Sequence, residues 1–169
     1  MSDERREVRA EPLTEEAWAP FGWLPVDDTD PRDGQAPARL SFAMDDAHVN
    51  IIGHARAEVP ESAGRLVCQM LFRHDSHTQA LMSLDVPAVI AVAPGSVTFD
   101  EAGDGEAIRV FTLEPLQPFV LHAGTWHWGP FPISAPTVRL FNVQGLRYAE
   151  DNTSVDLGAR GLDIEVAQP

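Results

Sequence analysis

From Arg39 onward the chain is written in short apolar or alternating runs. Residues 49–52, 66–72, 79–84, 88–92, 96–99, 107–113, 119–122 and 137–143 each have the length and residue character of a strand. Turn signals separate nearly all of them: PESAG at 60–64, Pro94-Gly95, Gly103-Asp104-Gly105, Pro115 with Pro118, Gly129-Pro130 and Pro136. Many short strands at such spacing predict an all-β sandwich or small barrel rather than alternating β and α units. One short helix is expected near the start. Thr14 can cap it, Glu15 and Glu16 suit its positive end, Leu13 can staple against Trp18, and Pro20 and Gly22 keep it short. Residues 1–10 read as a frayed, charged leader, 27–37 as an exposed loop, and 151–169 as a polar tail packed on the outside.

Length and charge narrow the class. The 169 residues suffice for one full hydrophobic core and are short for two, so residues 1–169 are read as a single domain. The balance of 12 basic against 26 acidic residues, 12 − 26 = −14, argues against nucleic acid or an anionic membrane surface as partner. The most apolar stretch, 86–93, is interrupted by Pro87 and too short to span a membrane. The charged N-terminus lacks the apolar segment of a signal peptide, which places the expectation in the cytoplasm. The single cysteine, Cys68, rules out an internal disulfide and lies in an apolar run, where burial is expected. Lysine is absent, which removes Schiff-base chemistry, pyridoxal phosphate attachment and the lysine of a phosphate-binding loop.

Candidate chemistry gathers in two places. Residues 116–132, LQPFVLHAGTWHWGPFP, hold two of the six histidines and two of the four tryptophans among turn-forming residues, so that His122 and His127 flank a tight turn. The second place is the polar cluster RHDSHTQ at 73–79. His74 with Gln79 five residues on, followed much later by Gly124-Thr125-Trp126-His127, reproduces part of the two-motif cupin pattern. In that pattern side chains from neighbouring strands converge inside a small barrel on a divalent metal with open positions for substrate. Phe72 stands where the first histidine of the pattern would be, Val86 at its glycine and His122 at its proline. The fold expected is therefore a cupin-like double-stranded β-helix, a small β-barrel, with one short N-terminal helix. Arg109 either reaches an aqueous cavity or sits on the outer face of its strand.

Between Leu13 and about Asp156 the chain also resembles the ureidoglycolate lyase family. The resemblance rests on LTEEAWAPFG at 13–22, RHDSHTQA at 73–80, HAGTWH at 122–127, and Asp151-Asn152 with Val155. It implies a cupin-like homodimer that cleaves ureidoglycolate to glyoxylate and urea in allantoin and purine breakdown, with nickel or another divalent ion such as manganese in some members. On that reading His74, Gln79, His122 and His127 are the catalytic candidates, and His74, Gln79 and His127 the metal ligands. Phe72 offers no lone pair and Gln79 no negative charge, so the metal is expected to be weakly bound or absent. Arg73 or Arg56 could clamp a small carboxylate substrate, and Trp126 could pack against it. Family members commonly continue Arg-His-Pro-x-Gly and Trp-His-His-Pro, where this chain has RHDSH at 73–77 and WHWGP at 126–130. Those departures keep two other readings open: a divergent cupin that binds a small carboxylate without catalysis, and a lyase or isomerase for another small hydroxy acid. His77 is expected to face solvent, and His48 and His54 have no assigned role.

Overall fold

The computed structural model describes residues 4–25, 39–44, 46–101 and 103–168, so the loop expected at 27–37 lies outside the described residues. The chain opens with strands β1 (Glu4–Arg9) and β2 (Glu11–Pro12), a single helical turn α1 (Glu15–Trp18), and β3 (Gly22–Trp23). Then follow β4 (Ala47–Ala55), β5 (Glu61–Ser62), β6 (Arg65–Cys68), β7 (Met70–Arg73), β8 (Gln79–Ser83) and β9 (Ala88–Ala93). The second half contributes β10 (Arg109–Leu113), β11 (Pro118–Leu121), β12 (Trp126–Pro132), β13 (Thr137–Gly145), β14 (Thr153–Asp156) and β15 (Leu162–Ala167). The all-β, cupin-like class is thus as expected, with open-edged sheets in place of a ladder closed into a barrel.

Three sheets share the strands, in the orders β1-β15-β6-β5 (sheet A), β14-β7-β12-β9-β10-β2 (sheet B) and β3-β11-β8-β13-β4 (sheet C). One apolar cluster joins sheets A and B, with Leu66, Cys68, Ile164 and Val166 meeting Leu71, Val110, Trp126 and Val155. A second joins sheets B and C, with Ile90, Phe111 and Leu113 meeting Leu81, Phe119, Leu121 and Leu140. Strand β9 belongs to both. Val89, Ala91 and Ala93 face the first cluster and Ala88, Ile90 and Val92 the second, as the two-residue period of a strand requires.

Helix α1 forms as its sequence prescribes. The Thr14 hydroxyl accepts from the Ala17 backbone N–H at 3.3 Å, and Leu13 and Trp18 are both buried in the second cluster. Trp18 donates its indole N–H to Val120 O at 2.9 Å, and a Cβ added to Gly22 would stand 1.7 Å from that carbonyl, which is why the chain narrows to glycine there.

Several local expectations change. Residues 4–9, read as frayed leader, form β1, paired in parallel with β15 from Glu4 beside Leu162 to Arg9 beside Ala167. The tail is likewise integrated, because β14 pairs with β7 and β15 with both β1 and β6. The run 66–72 is two strands bent apart at Gln69, and 96–99 is a turn in which Phe99 takes φ 60°. Arg109 sits at the protein's edge, gripping both carboxylate oxygens of Glu11 at 2.8 and 2.6 Å and the Ala17 carbonyl at 3.0 Å. No described helix is long and apolar enough to cross a membrane.

Candidate functional site

Between sheets B and C the apolar cluster stops short of one end, and a cavity of about 630 Å³ opens there. Alternation decides what faces it. On β13, Leu140, Asn142 and Gln144 point inward, and register sets Asn142 opposite Asn50 and Leu140 opposite Ile52 on β4. From sheet B, Phe72 on β7 lies opposite His127 on β12, and both line the cavity, as does His74 just past the end of β7.

Three predicted residues therefore converge. The His74 and His127 rings are 5.3 Å apart, and both line the cavity together with Gln79. Each imidazole has one nitrogen committed to a backbone carbonyl: His74 Nδ1 to Asp151 O at 2.7 Å and His127 Nδ1 to Thr125 O at 3.1 Å. A carbonyl only accepts, so Nδ1 carries the proton in each neutral ring and Nε2 is left as a bare lone pair. Burial first, then the nearby His74, pushes the pKa of His127 down from 6.5 to about 4, and the bond to Thr125 only partly opposes this. His127 is thus a neutral base at neutral pH.

The Gln79 amide N–H₂ donates to Asn142 Oδ1 at 2.8 Å and to Gln144 Oε1 at 3.1 Å, and Asn142 in turn donates to Asn50 Oδ1 at 2.8 Å. This chain of amides fixes the orientation of Gln79, whose own Oε1 is buried without a partner.

Other expected residues are elsewhere. His122 is exposed at the turn and borders only a small crevice behind His74 and His127, outside the cavity lining. Arg73 lies on the opposite face of β7 from Phe72, stacked 4.6 Å over the Trp126 ring and paired with Asp75 at 3.2 Å. Trp126 is buried in the cluster between sheets A and B, its indole N–H donating to Val97 O at 2.8 Å. Arg56 ties down the turn after β4, bonding Glu61 Oε1 at 2.7 Å, Gly64 O at 2.9 Å and the Ile133 carbonyl. The carboxylate clamp and the substrate-packing tryptophan expected from sequence are therefore structural pieces outside the cavity. The period of two explains both Arg73 and Trp126, since the neighbours Phe72 and His127 take the cavity face.

Two histidines passed over in the sequence belong to the site. His54 lines the cavity, its ring stacked 5.1 Å from Phe131 and its Nδ1 bonded to Pro130 O at 2.7 Å. The alternation His48, Asn50, Ile52, His54 in residues 48–54 was the signal for it. His77, expected in solvent, is 4% exposed and stacks on His74 at 4.7 Å. Burial first, then His74, lowers the His77 pKa, while Asp151 opposes the change.

A metal can be tested against two donor sets. His74, His77 and Asp151 bring one ligand atom each within 4.8 Å of one another. The Asp151 carboxylate, however, already accepts from the backbone N–H of Asp75 at 3.1 Å and of Ser76 at 2.8 Å, from the Ser76 hydroxyl, and from His77. Desolvation raises the Asp151 pKa, and these bonds outweigh it and hold it below the usual value. The set His74, Gln79 and His127 is open by contrast: two bare Nε2 atoms and an unpartnered amide oxygen fit a divalent ion, without a carboxylate to hold it firmly.

The family model for ureidoglycolate lyases matches residues 5–158. A protein named ureidoglycolate lyase from Chelativorans sp. (strain BNC1) is 29% identical over 171 residues, covering 95% of this chain and 90% of that one. Among solved structures, a dTDP sugar isomerase from Desulfovibrio desulfuricans G20 is 12% identical and overlaps 78% of this chain and 81% of its own at a TM-score of 0.46.

Proposed function

The chain belongs to the ureidoglycolate lyase family, and from that premise we propose that it cleaves ureidoglycolate to glyoxylate and urea, a step of allantoin breakdown in the cytoplasm. The observation that carries this reading is the pair His74 and His127, side by side in the cavity with both Nε2 lone pairs unspent. Ureidoglycolate is a carbinolamide, so its cleavage needs one proton removed from the hydroxyl and one delivered to the departing nitrogen. His127, held neutral, accepts the hydroxyl proton as the carbonyl of glyoxylate forms and the carbon–nitrogen bond breaks. His74, once its Nε2 lone pair has taken up a proton from solvent, gives that proton to the leaving urea nitrogen. Gln79, locked by Asn142 and Gln144, turns its carbonyl oxygen to the ureido N–H groups. Among the described lining residues there is no arginine, so the substrate carboxylate is met by imidazole and amide groups. A divalent ion held by His74, Gln79 and His127 would take up both Nε2 lone pairs and the Gln79 oxygen, and would then supply the acidity of the hydroxyl in place of that acid–base pair.

Incubation with racemic ureidoglycolate, with glyoxylate measured against spontaneous breakdown and with or without nickel or manganese, tests the reading. Acceleration that disappears in His127→Ala supports it. No acceleration at high protein concentration overturns it and leaves small-carboxylate binding, or turnover of another hydroxy acid, as the reading.

A homodimer belongs to the same proposal. Val49, Ile51 and Phe141 are exposed, with Ile51 and Phe141 paired across β4 and β13 at the edge of sheet C, and a second copy would cover them. Light scattering should then give twice the chain mass of 18.5 kDa.

A further inference from the structure

The cavity is larger than ureidoglycolate requires, and its two ends differ in kind. At about 630 Å³ it lies within the roughly 300–1,000 Å³ of sites that enclose drug-sized ligands. Ureidoglycolate is a three-carbon acid and fills a small part of it. Along neighbouring strands the inward side chains change from polar to hydrocarbon in the same sense. On β13 Gln144 and Asn142 give way to Leu140, on β4 Asn50 gives way to Ile52 beside it, and on β8 Gln79 gives way to Leu81. On the facing wall His74 gives way to Phe72 and Met70. Ile52, Val59, Met70, Phe72, Trp128 and Phe131 thus make a largely apolar chamber beyond the histidines, with the exposed Glu58 and Gln69, which donates to Asp163, as the polar side chains beside them. His54 stands at that end but lies flat against Phe131 with Nδ1 spent on Pro130 O.

Physical chemistry orients a ureido acid in such a cavity. An ionised carboxylate is costly to place against hydrocarbon, so the acid and carbinol stay with the imidazoles and amides. The distal urea nitrogen then points into the chamber, where a hydrocarbon group attached to it would leave water. Resting on the cleavage reading above, we infer that this site takes ureidoglycolates bearing an aryl or branched alkyl substituent on the distal nitrogen. Turnover follows the same balance: the hydroxyl proton leaves, the carbon–nitrogen bond breaks, the leaving nitrogen gains a proton, and glyoxylate and a monosubstituted urea are released.

Binding and cleavage are tested separately. Hydantoate and its N′-benzyl derivative lack the hydroxyl and cannot be cleaved, so calorimetry on the whole protein reads affinity alone. The benzyl compound is expected to bind at least tenfold more tightly. Equal or weaker binding overturns the inference whether or not ureidoglycolate is cleaved. Glyoxylate release is then compared for ureidoglycolate and N′-benzylureidoglycolate, with kcat/KM expected at least tenfold higher for the latter. Preferential binding without glyoxylate from either compound overturns the cleavage reading and keeps the chamber. Met70→Trp, which narrows the chamber, should bring the ratio of the two affinities close to one. Should that variant misfold, Ile52→Phe gives the same readout, and an undiminished ratio in a folded variant counts against the inference.

Discussion

Acid should weaken this fold through His127, and the size of the effect follows from its surroundings. The group is 8% exposed, and its pKa falls from 6.5 to about 4 in the folded protein. Between those values the unfolded chain binds a proton that the fold excludes, so the contribution is fully present above about pH 6.5 and is lost as pH falls towards 4. The gap corresponds to about 3 kcal/mol at 1.36 kcal/mol for each tenfold change, of which most is lost by about pH 4.5. Urea unfolding followed by tryptophan fluorescence, in buffer with a chelator to keep metal off the imidazoles, measures it. Between pH 7.5 and 4.5 the unaltered protein should lose about 2–3 kcal/mol more than His127→Gln. His77, whose pKa is also lowered, acts in the same sense in both proteins and drops out of the comparison. Parallel losses in the two proteins would refute the assignment of a buried, neutral His127.

The other expectations are direct. His127→Ala should lower kcat by about 10²–10⁴, the usual worth of a positioned acid or base, while His122→Ala, outside the cavity, should stay within a few-fold of the unaltered enzyme. Asn142→Leu removes one of the two acceptors of Gln79 and the donor to Asn50, so urea unfolding should show a loss of about 1–3 kcal/mol for the polar groups left unpaired. Elemental analysis of the purified protein should find metal below one ion per chain, since the open donor set carries no carboxylate. A stoichiometric ion surviving dialysis would refute that donor set.

Local chemistry was legible in the sequence and lateral relations were not. Thr14, Leu13 and Trp18 announced the helical turn because a cap and its staple lie within a few residues of each other. The spacing of His74, Gln79 and His127 announced their convergence because a recurring motif already encodes the pairing of β7 and β12. Arg73 and Trp126 misled because residues adjacent to a site in sequence point away from it on a strand. His54 enters the cavity only through the register of β4 on β13, and β1 finds its place only through β15 at the far end of the chain. Asp151 is held by Asp75, Ser76 and His77, a convergence that none of the four residues signals alone.

Strand β9 is a wall common to two rooms. Every residue from Ala88 to Ala93 is buried, and consecutive side chains alternate between the cluster against sheet A and the cluster against sheet C. Its backbone is flanked on both sides, by β10 and by β12. Neither room can be opened to solvent without disturbing this strand, and the strand cannot be released while either room stands. In amide hydrogen exchange the interior of β9 should therefore be among the slowest sites to exchange, at a free energy equal to that of unfolding the whole molecule. Trimming Val89 or Ile90, which face opposite rooms, should accelerate exchange in both alike.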